Sequence, residues 1–242
     1  MGTRPVNVVI DAARPGELAR FWSDLLGWPI AVDEPDGVGV RAPSGDGCEL
    51  DLTLVPVQKV KEVKNRIHLD LASATLAHQQ ELVARAMELG GKQIDIGQGA
   101  VPWVVLADPE GNEFCVLEPR EQYARTGALA AIVVDAHDPE ALAGFWSDAL
   151  AWPIENRGPG LFAGLRPPRG GPWLEFVQNE DVKSGKNRVR IGVGAHSGLR
   201  NDAELARLIE VGATPADLEA PERSWRLLAD PEGNEFHVHR MR

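Results

Sequence analysis

Cysteine is almost missing from this 242-residue chain; Cys48 and Cys115 are the only two. Two thiols cannot build a disulfide framework, and no Cys-x-x-Cys spacing offers a structural zinc site. Long apolar runs are missing too. No stretch approaches the roughly 20 residues of a membrane span, and the opening residues 1–5 lack the apolar core of a signal peptide. Together these absences predict a reduced, cytoplasmic setting and no membrane partner. Basic residues are in the minority, 25 Lys and Arg against 36 Asp and Glu for a net charge of -11. Phosphate backbones are gripped by clustered Lys and Arg, so nucleic acid is not an expected partner. Gly-x-Ser-x-Gly and P-loop sequences are lacking, and Gly97-Gln98-Gly99 is too short and wrongly placed for a dinucleotide loop. What remains, 43% hydrophobic and 25% charged residues, is the composition of a packed globular protein.

The chain contains itself twice. VVIDAARPGELARFWSDLLGWPI, from Val8, recurs from Ile132 as IVVDAHDPEALAGFWSDALAWPI, with 14 of 23 positions identical. Lys64-Asn65-Arg66 recurs as Lys186-Asn187-Arg188, and LADPEGNEF from Leu106 recurs unchanged from Leu228. Three blocks in one order at nearly constant offset mean a tandem duplication. The period far exceeds the 20–50 residues of solenoid repeats, so each copy is a domain. The expected domains are residues 1–123 and 128–242, with the boundary near 122–127.

Within copy one, residues 6–11 read as a strand. Pro15 opens a helix whose Leu18, Phe21, Trp22, Leu25 and Leu26 recur at helical spacing, and Gly27 stops it. Weaker strands follow near 30–33 and 37–42, and 49–55 alternates cleanly as a fourth. The pattern then restarts: a strand at 66–71, a helix at 76–89, and strands at 92–96, 103–107 and 113–117. Asp108-Pro109-Glu110-Gly111-Asn112 forms the last hairpin, with Asp108 and its counterpart Asp230 expected to cap backbone amides. Each copy is therefore two βαβββ modules, and the fold class is α+β, an antiparallel-rich sheet with helices on one side.

This module order, with DAxxPxxLAxFWxDxLxW, KNRxHLDL and LADPEGNEF, resembles the vicinal-oxygen-chelate superfamily of glyoxalases, bleomycin-resistance proteins and extradiol dioxygenases. It is most similar to the actinobacterial glyoxalase-like domain. The resemblance covers nearly all of both copies. It implies a concave sheet face, or cup, that takes a small molecule, with metal ligands drawn from the first and fourth strands of each module, usually His and Glu.

Strand alternation assigns the faces. In copy one the polar side collects Asn7, Val9 and Asp11; Glu49, Asp51 and Thr53; Arg66, His68 and Asp70; and Glu113, Cys115 and Leu117. The resemblance maps its metal positions to Asn7, the Glu49/Asp51 strand, His68 and Cys115. His68 is the sharpest candidate, with Glu49, Asp51 and Cys115 as further ligands and Glu49 or Asp51 as a general base. Zn, Fe, Mn or Ni would suit such donors. Opposing this, Asn7 and Cys115 depart from the pattern, His68 could simply hydrogen-bond Asp70, and an unligated Cys115 would be ordinary core.

In copy two the same face collects Ala131, Val133 and Asp135; Trp173, Glu175 and Val177; Arg188, Arg190 and Gly192; and Glu235, His237 and His239. Arg190 stands where copy one has His68, and arginine cannot ligate a metal. It could instead grip a carboxylate or phosphate with His237 and His239, or pair internally with Glu175. Asp70, Trp173, Glu175, Arg190, His237 and His239 are thus the expected ligand contacts. The recurring pairs Trp22/Trp146, Trp28/Trp152 and Trp103/Trp225 read as core, and Lys59, Lys61 and Lys64 as an exposed connection.

Three functions compete. The leading one is a metal-free protein that binds a small molecule in its cup. The alternative is a metal-dependent glyoxalase- or dioxygenase-type enzyme centred on His68. The third is a partner-binding protein with vestigial cups. A monomer with paired domains and a homodimer are both compatible with the sequence.

Overall fold

The computed structural model describes residues 3–195, 201–216 and 225–239. Copy one runs β1 (Thr3–Ala12), α1 (Pro15–Leu26), β2 (Ile30–Glu34), β3 (Gly37–Arg41) and β4 (Asp51–Pro56). It continues with β5 (Ile67–Leu71), α2 (Leu76–Glu88), β6 (Lys92–Gln93), β7 (Val104–Ala107) and β8 (Glu113–Val116). Copy two repeats the order as β9 (Leu129–Ala136), α3 (Pro139–Leu150), β10 (Ile154–Gly158), β11 (Phe162–Leu165) and β12 (Trp173–Gln178). Then follow β13 (Val189–Ala195), α4 (Asn201–Glu210), β14 (Thr214–Pro215), β15 (Trp225–Ala229) and β16 (Glu235–His239). A short 3-10 turn, Glu121–Tyr123, joins the copies.

Neither copy makes a sheet of its own. The sixteen strands form two eight-stranded sheets, in the orders β14-β15-β16-β13-β1-β4-β3-β2 (sheet A) and β10-β11-β12-β9-β5-β8-β7-β6 (sheet B). Sheet A thus joins the first module of copy one to the last module of copy two, through antiparallel β1 and β13. Sheet B joins the two middle modules through antiparallel β5 and β9. The sequence reading had placed Asn7, Glu49, Asp51, His68 and Cys115 around one cup, and the structure corrects this. Alternation fixes which face a side chain takes but not which strand lies alongside. Because β1 and β9 carry the same repeated pattern, either could have paired with β5.

The three repeated blocks converge where the copies meet. Lys64 reaches Asp135 on β9, and Lys186 mirrors it with Asp11 on β1, 2.8 Å away. Arg66 donates to Glu232 at 3.0 Å, Asn234 Oδ1 at 3.2 Å, and the carbonyls of Asp135 and Asp181, both at 2.8 Å. Arg188 mirrors it with Glu110, Asn112 Oδ1 and the Lys59 carbonyl. Glu110 also accepts the Ala13 and Arg14 amides at the start of α1, and Glu232 accepts the His137 and Asp138 amides at the start of α3. These carboxylates satisfy helix-start donors that have no partner inside the helix. The Lys and Arg of each triplet therefore clamp the copies together, while Asn65 and Asn187 bond Asn112 and Asn234 within their own copies. Of the lysines expected on an exposed connection, Lys59 is exposed beside Glu62, whereas Lys61 is held 2.6 Å from Glu113 and Lys64 by Asp135.

The hairpins behave as their chemistry demands. Asp108 Oδ1 accepts the amides of Glu110 and Asn112, and Asp230 Oδ1 those of Glu232 and Asn234. On the convex side the apolar faces of both sheets and of the helices merge into one core. Trp22 of α1 meets Phe114 of β8 edge-on at 5.1 Å, and Trp146 of α3 meets Phe236 of β16 at the same distance. The helices thus tie one sheet to the other. Gly27 ends α1 in the left-handed conformation at φ 70°, and its counterpart Ala151 ends α3 at φ 56°.

Candidate functional site

The two concave faces differ in chemistry. On sheet A, β1, β13 and β16 bring together Asn7, Asp11, Arg190, His237 and His239. Arg190, 2% exposed, spends all three nitrogens on protein: Nη2 on Asp11 Oδ1 at 2.6 Å, Nη1 on the Asn187 carbonyl at 2.6 Å, and Nε on His237 Nε2 at 3.3 Å. The expected pairing with Glu175 is overturned, because Glu175 belongs to sheet B. Burial would raise the Asp11 carboxyl, but hydrogen bonds and charge from Arg190 and Lys186 outweigh it and hold it below the usual range. His237 stacks on Trp225 at 4.2 Å, and burial beside Arg190 depresses it to about 2. A neutral ring is what accepting from Arg190 requires. His239 Nε2 lies 3.0 Å from Asn7 Oδ1, and Asn7 Nδ2 donates to Thr53. Gly192 lies beneath this contact, and a Cβ there would collide with both Asn7 Oδ1 and His239 Nε2. Here Arg190, His237 and His239 form a satisfied network.

On sheet B, alternation along β5 puts His68 and Asp70 on one face, and the register sets Asp70 beside Cys115 of β8 and Ala131 of β9. His68 Nε2 stands 3.4 Å from Asp70 Oδ1. One donor atom from each of His68, Asp70 and Cys115 lies within 4.8 Å of the other two. Burial, reinforced by Lys64, lowers His68 to about 4, so its ring is neutral and free to ligate. Burial and the nearby Glu175 raise Asp70 to about 7, and burial beside Asp70 pushes the Cys115 thiol well up.

Around these polar groups packs a small apolar cluster of Val105, Leu117, Tyr123, Ala131, Val133 and Trp173. Tyr123, on the turn joining the copies, meets Trp173 edge-on and donates its hydroxyl to Glu175 Oε1 at 2.8 Å. Arg120 binds Glu118 through Nε at 2.6 Å and lies over the rings of Trp103 and Tyr123. Among the described residues only three buried side-chain polar atoms lack a partner: Trp22 Nε1, Asp70 Oδ1 and Glu118 Oε2. Two of the three belong to this cup. An ionised carboxylate oxygen only accepts, so in that form these two oxygens call for a donor or a cation.

Glu49 and Asp51 are elsewhere. Asp51 lies on β4 of sheet A, bonded to Arg41 at 2.8 Å, and the exposed Glu49 faces Arg4 at 3.5 Å. The Trp103/Trp225 pair, read as core, lies on the concave side, Trp103 under Arg120 and Trp225 against His237. The sequence reading missed Glu118, Arg120 and Tyr123. A signal existed: Tyr123 is the chain's single tyrosine.

Two paired βαβββ modules curled around a concave face that carries His, carboxylate and thiol donors define a protein of the vicinal-oxygen-chelate class. Residues 7–117 and 131–239 each match the model of the glyoxalase-like domain, and the chain belongs to that family. Glyoxalase I from Zea mays superposes with a TM-score of 0.71 at 15% identity, covering 99% of this chain and 92% of that one. A candidate dioxygenase from Bacillus subtilis gives 0.66 at 14% identity, covering 99% and 86%. At such identities the likeness is one of fold. No curated protein matches the chain by sequence. No helix among the described residues is long and apolar enough to cross a membrane.

Proposed function

We propose that the chain binds a small molecule in the cup of sheet B, against a divalent cation held by His68, Asp70 and Cys115. The observation that carries this is the buried Asp70 Oδ1, without a hydrogen-bond partner beside a neutral His68 and a thiol. Three protein donors leave positions open for a ligand, as in catalytic rather than structural metal sites, and the sulfur favours Zn. When bound, such an ion supplies a Lewis acid for an oxygen of the ligand.

The chain's own residues do the rest. Trp173 and Tyr123 wall the cup and exclude water, while Tyr123 fixes the Glu175 carboxylate on the opposite strand. Glu175 falls outside the three-donor group, which leaves it as a candidate base toward the ligand rather than to the ion. Both modules of the cup come from one chain, so the site needs no second copy.

Metal analysis of untagged protein tests the proposal. About one divalent ion per chain, lost in His68→Ala and Asp70→Asn, is the expected result. Absence of metal after growth and reconstitution with Zn, Fe, Mn and Ni would refute it. The metal-free binding protein is the second reading, favoured by the apolar packing around the donors. It predicts ligand-induced thermal stabilisation that survives chelator.

A further inference from the structure

Beside the sheet B cup lies a cavity of about 480 Å³, between the turn joining the copies and the loop joining β11 to β12. Trp173 and Gln122 line it, so cavity and cup share a wall. Three arginines line it as well, Arg125, Arg166 and Arg169. In a chain of net charge -11 this is a local reversal of sign. Arg166 has a single exposed partner, Glu155 at 3.1 Å, while Arg125 and Arg169 have no ion pair or side-chain hydrogen bond among the described residues.

The rim is built across the copies. Gly171, at φ 106°, packs so closely on the Gly47 carbonyl that a Cβ would lie 3.3 Å from it. The loop that carries Arg166 and Arg169 is thereby seated against copy one, and a Cβ on its Gly170 would lie 3.6 Å from the carbonyl of Arg125 in the segment joining the copies. Guanidinium forks match the oxygens of carboxylates and phosphates in pairs.

We propose that the ligand of the sheet B cup carries a carboxylate or phosphate group, which Arg125, Arg166 and Arg169 hold while its body lies beside Trp173. This rests on sheet B being the working cup but not on the metal. The two can fail separately.

The test is calorimetric titration with phenyl phosphate and benzoate as probes, against phenol and inorganic phosphate. It uses the full chain, the double variant Arg125→Ala/Arg169→Ala, and Trp173→Phe, each with and without chelator. Saturable binding of one anionic aromatic probe is expected, tighter than phenol or phosphate. The double variant should weaken it at least about tenfold, the loss of one good charged contact, and leave the melting temperature unchanged because both side chains are exposed. Added salt should weaken it too. Chelator should not abolish it; if metal is absent yet the arginine dependence holds, the inference stands and only the metal reading falls. Equal affinity in the double variant, or no saturable binding of either anionic probe at millimolar concentration, would overturn it.

Discussion

Arg66→Met should destabilise the whole molecule, and Arg188→Met should do so by a similar amount. Methionine keeps most of the aliphatic stem and removes only the guanidinium. Arg66 makes four hydrogen bonds into copy two, and its side chain is only 11% exposed. Hydrogen bonds to charged groups contribute about 1.5–3 kcal/mol each when neither partner can be re-solvated. The acceptors here are not stranded, however. Glu232 keeps the amides of His137 and Asp138, and the Asp181 carbonyl lies at an exposed bond. Allowing for that relief, the loss is about 2–4 kcal/mol, a large part of the 5–15 kcal/mol that holds an ordinary domain. Urea unfolding followed by circular dichroism and by tryptophan fluorescence measures it. Both probes should shift together in one transition, since each sheet contains strands of both copies. Arg14→Met, which removes an exposed pair with Glu17, is the control and should cost under about 0.5 kcal/mol. A loss below that in Arg66→Met, or two separate transitions, would refute the reasoning.

Four further outcomes are expected. Asp11→Ala strands the buried Arg190 and should cost about 3–5 kcal/mol in the same unfolding assay. Because the folded Asp11 carboxyl lies below its unfolded value near 3.8, its stabilisation is present above that value and lost as pH falls through the folded one; Asp11→Asn should flatten the acid limb of the stability profile. Ala151→Gly relieves a left-handed cap and should stabilise by about 1 kcal/mol, read as a raised melting temperature. Gly192→Ala should cost about 1–3 kcal/mol by displacing Asn7 and His239, and less in an Asn7→Ala background; equal costs in the two backgrounds would sink that account.

Much of the fold was legible in the sequence. Helix α1 could be read from Leu18 to Leu26 and its stop from Gly27, the hairpins from Asp108 and Asp230, and strand faces from the period of two. Those cues are local, and local sterics and burial decide them. The pairing of modules was not legible, because the repeat makes β1 and β9 near-equivalent candidates for the free edge of β5. That ambiguity moved Glu49 and Asp51 away from His68 and gave Arg190 the partner Asp11 rather than Glu175. The joining segment was opaque for another reason. Glu118, Arg120 and Tyr123 obey no periodicity, and only tertiary placement brings them over Trp103 and Trp173. His68, Asp70 and Cys115 could each be assigned to a concave face, but their convergence depends on the parallel register of β5 with β8.

Cobalt substitution addresses the central claim most directly, since a Co(II) ion reports its own ligands. With His68, Asp70 and Cys115 as donors, the reconstituted protein should show a near-ultraviolet thiolate-to-cobalt band that disappears in Cys115→Ser, while Glu49→Gln leaves it unchanged. A cobalt complex lacking that band, or one that survives both Cys115→Ser and His68→Ala, would contradict it.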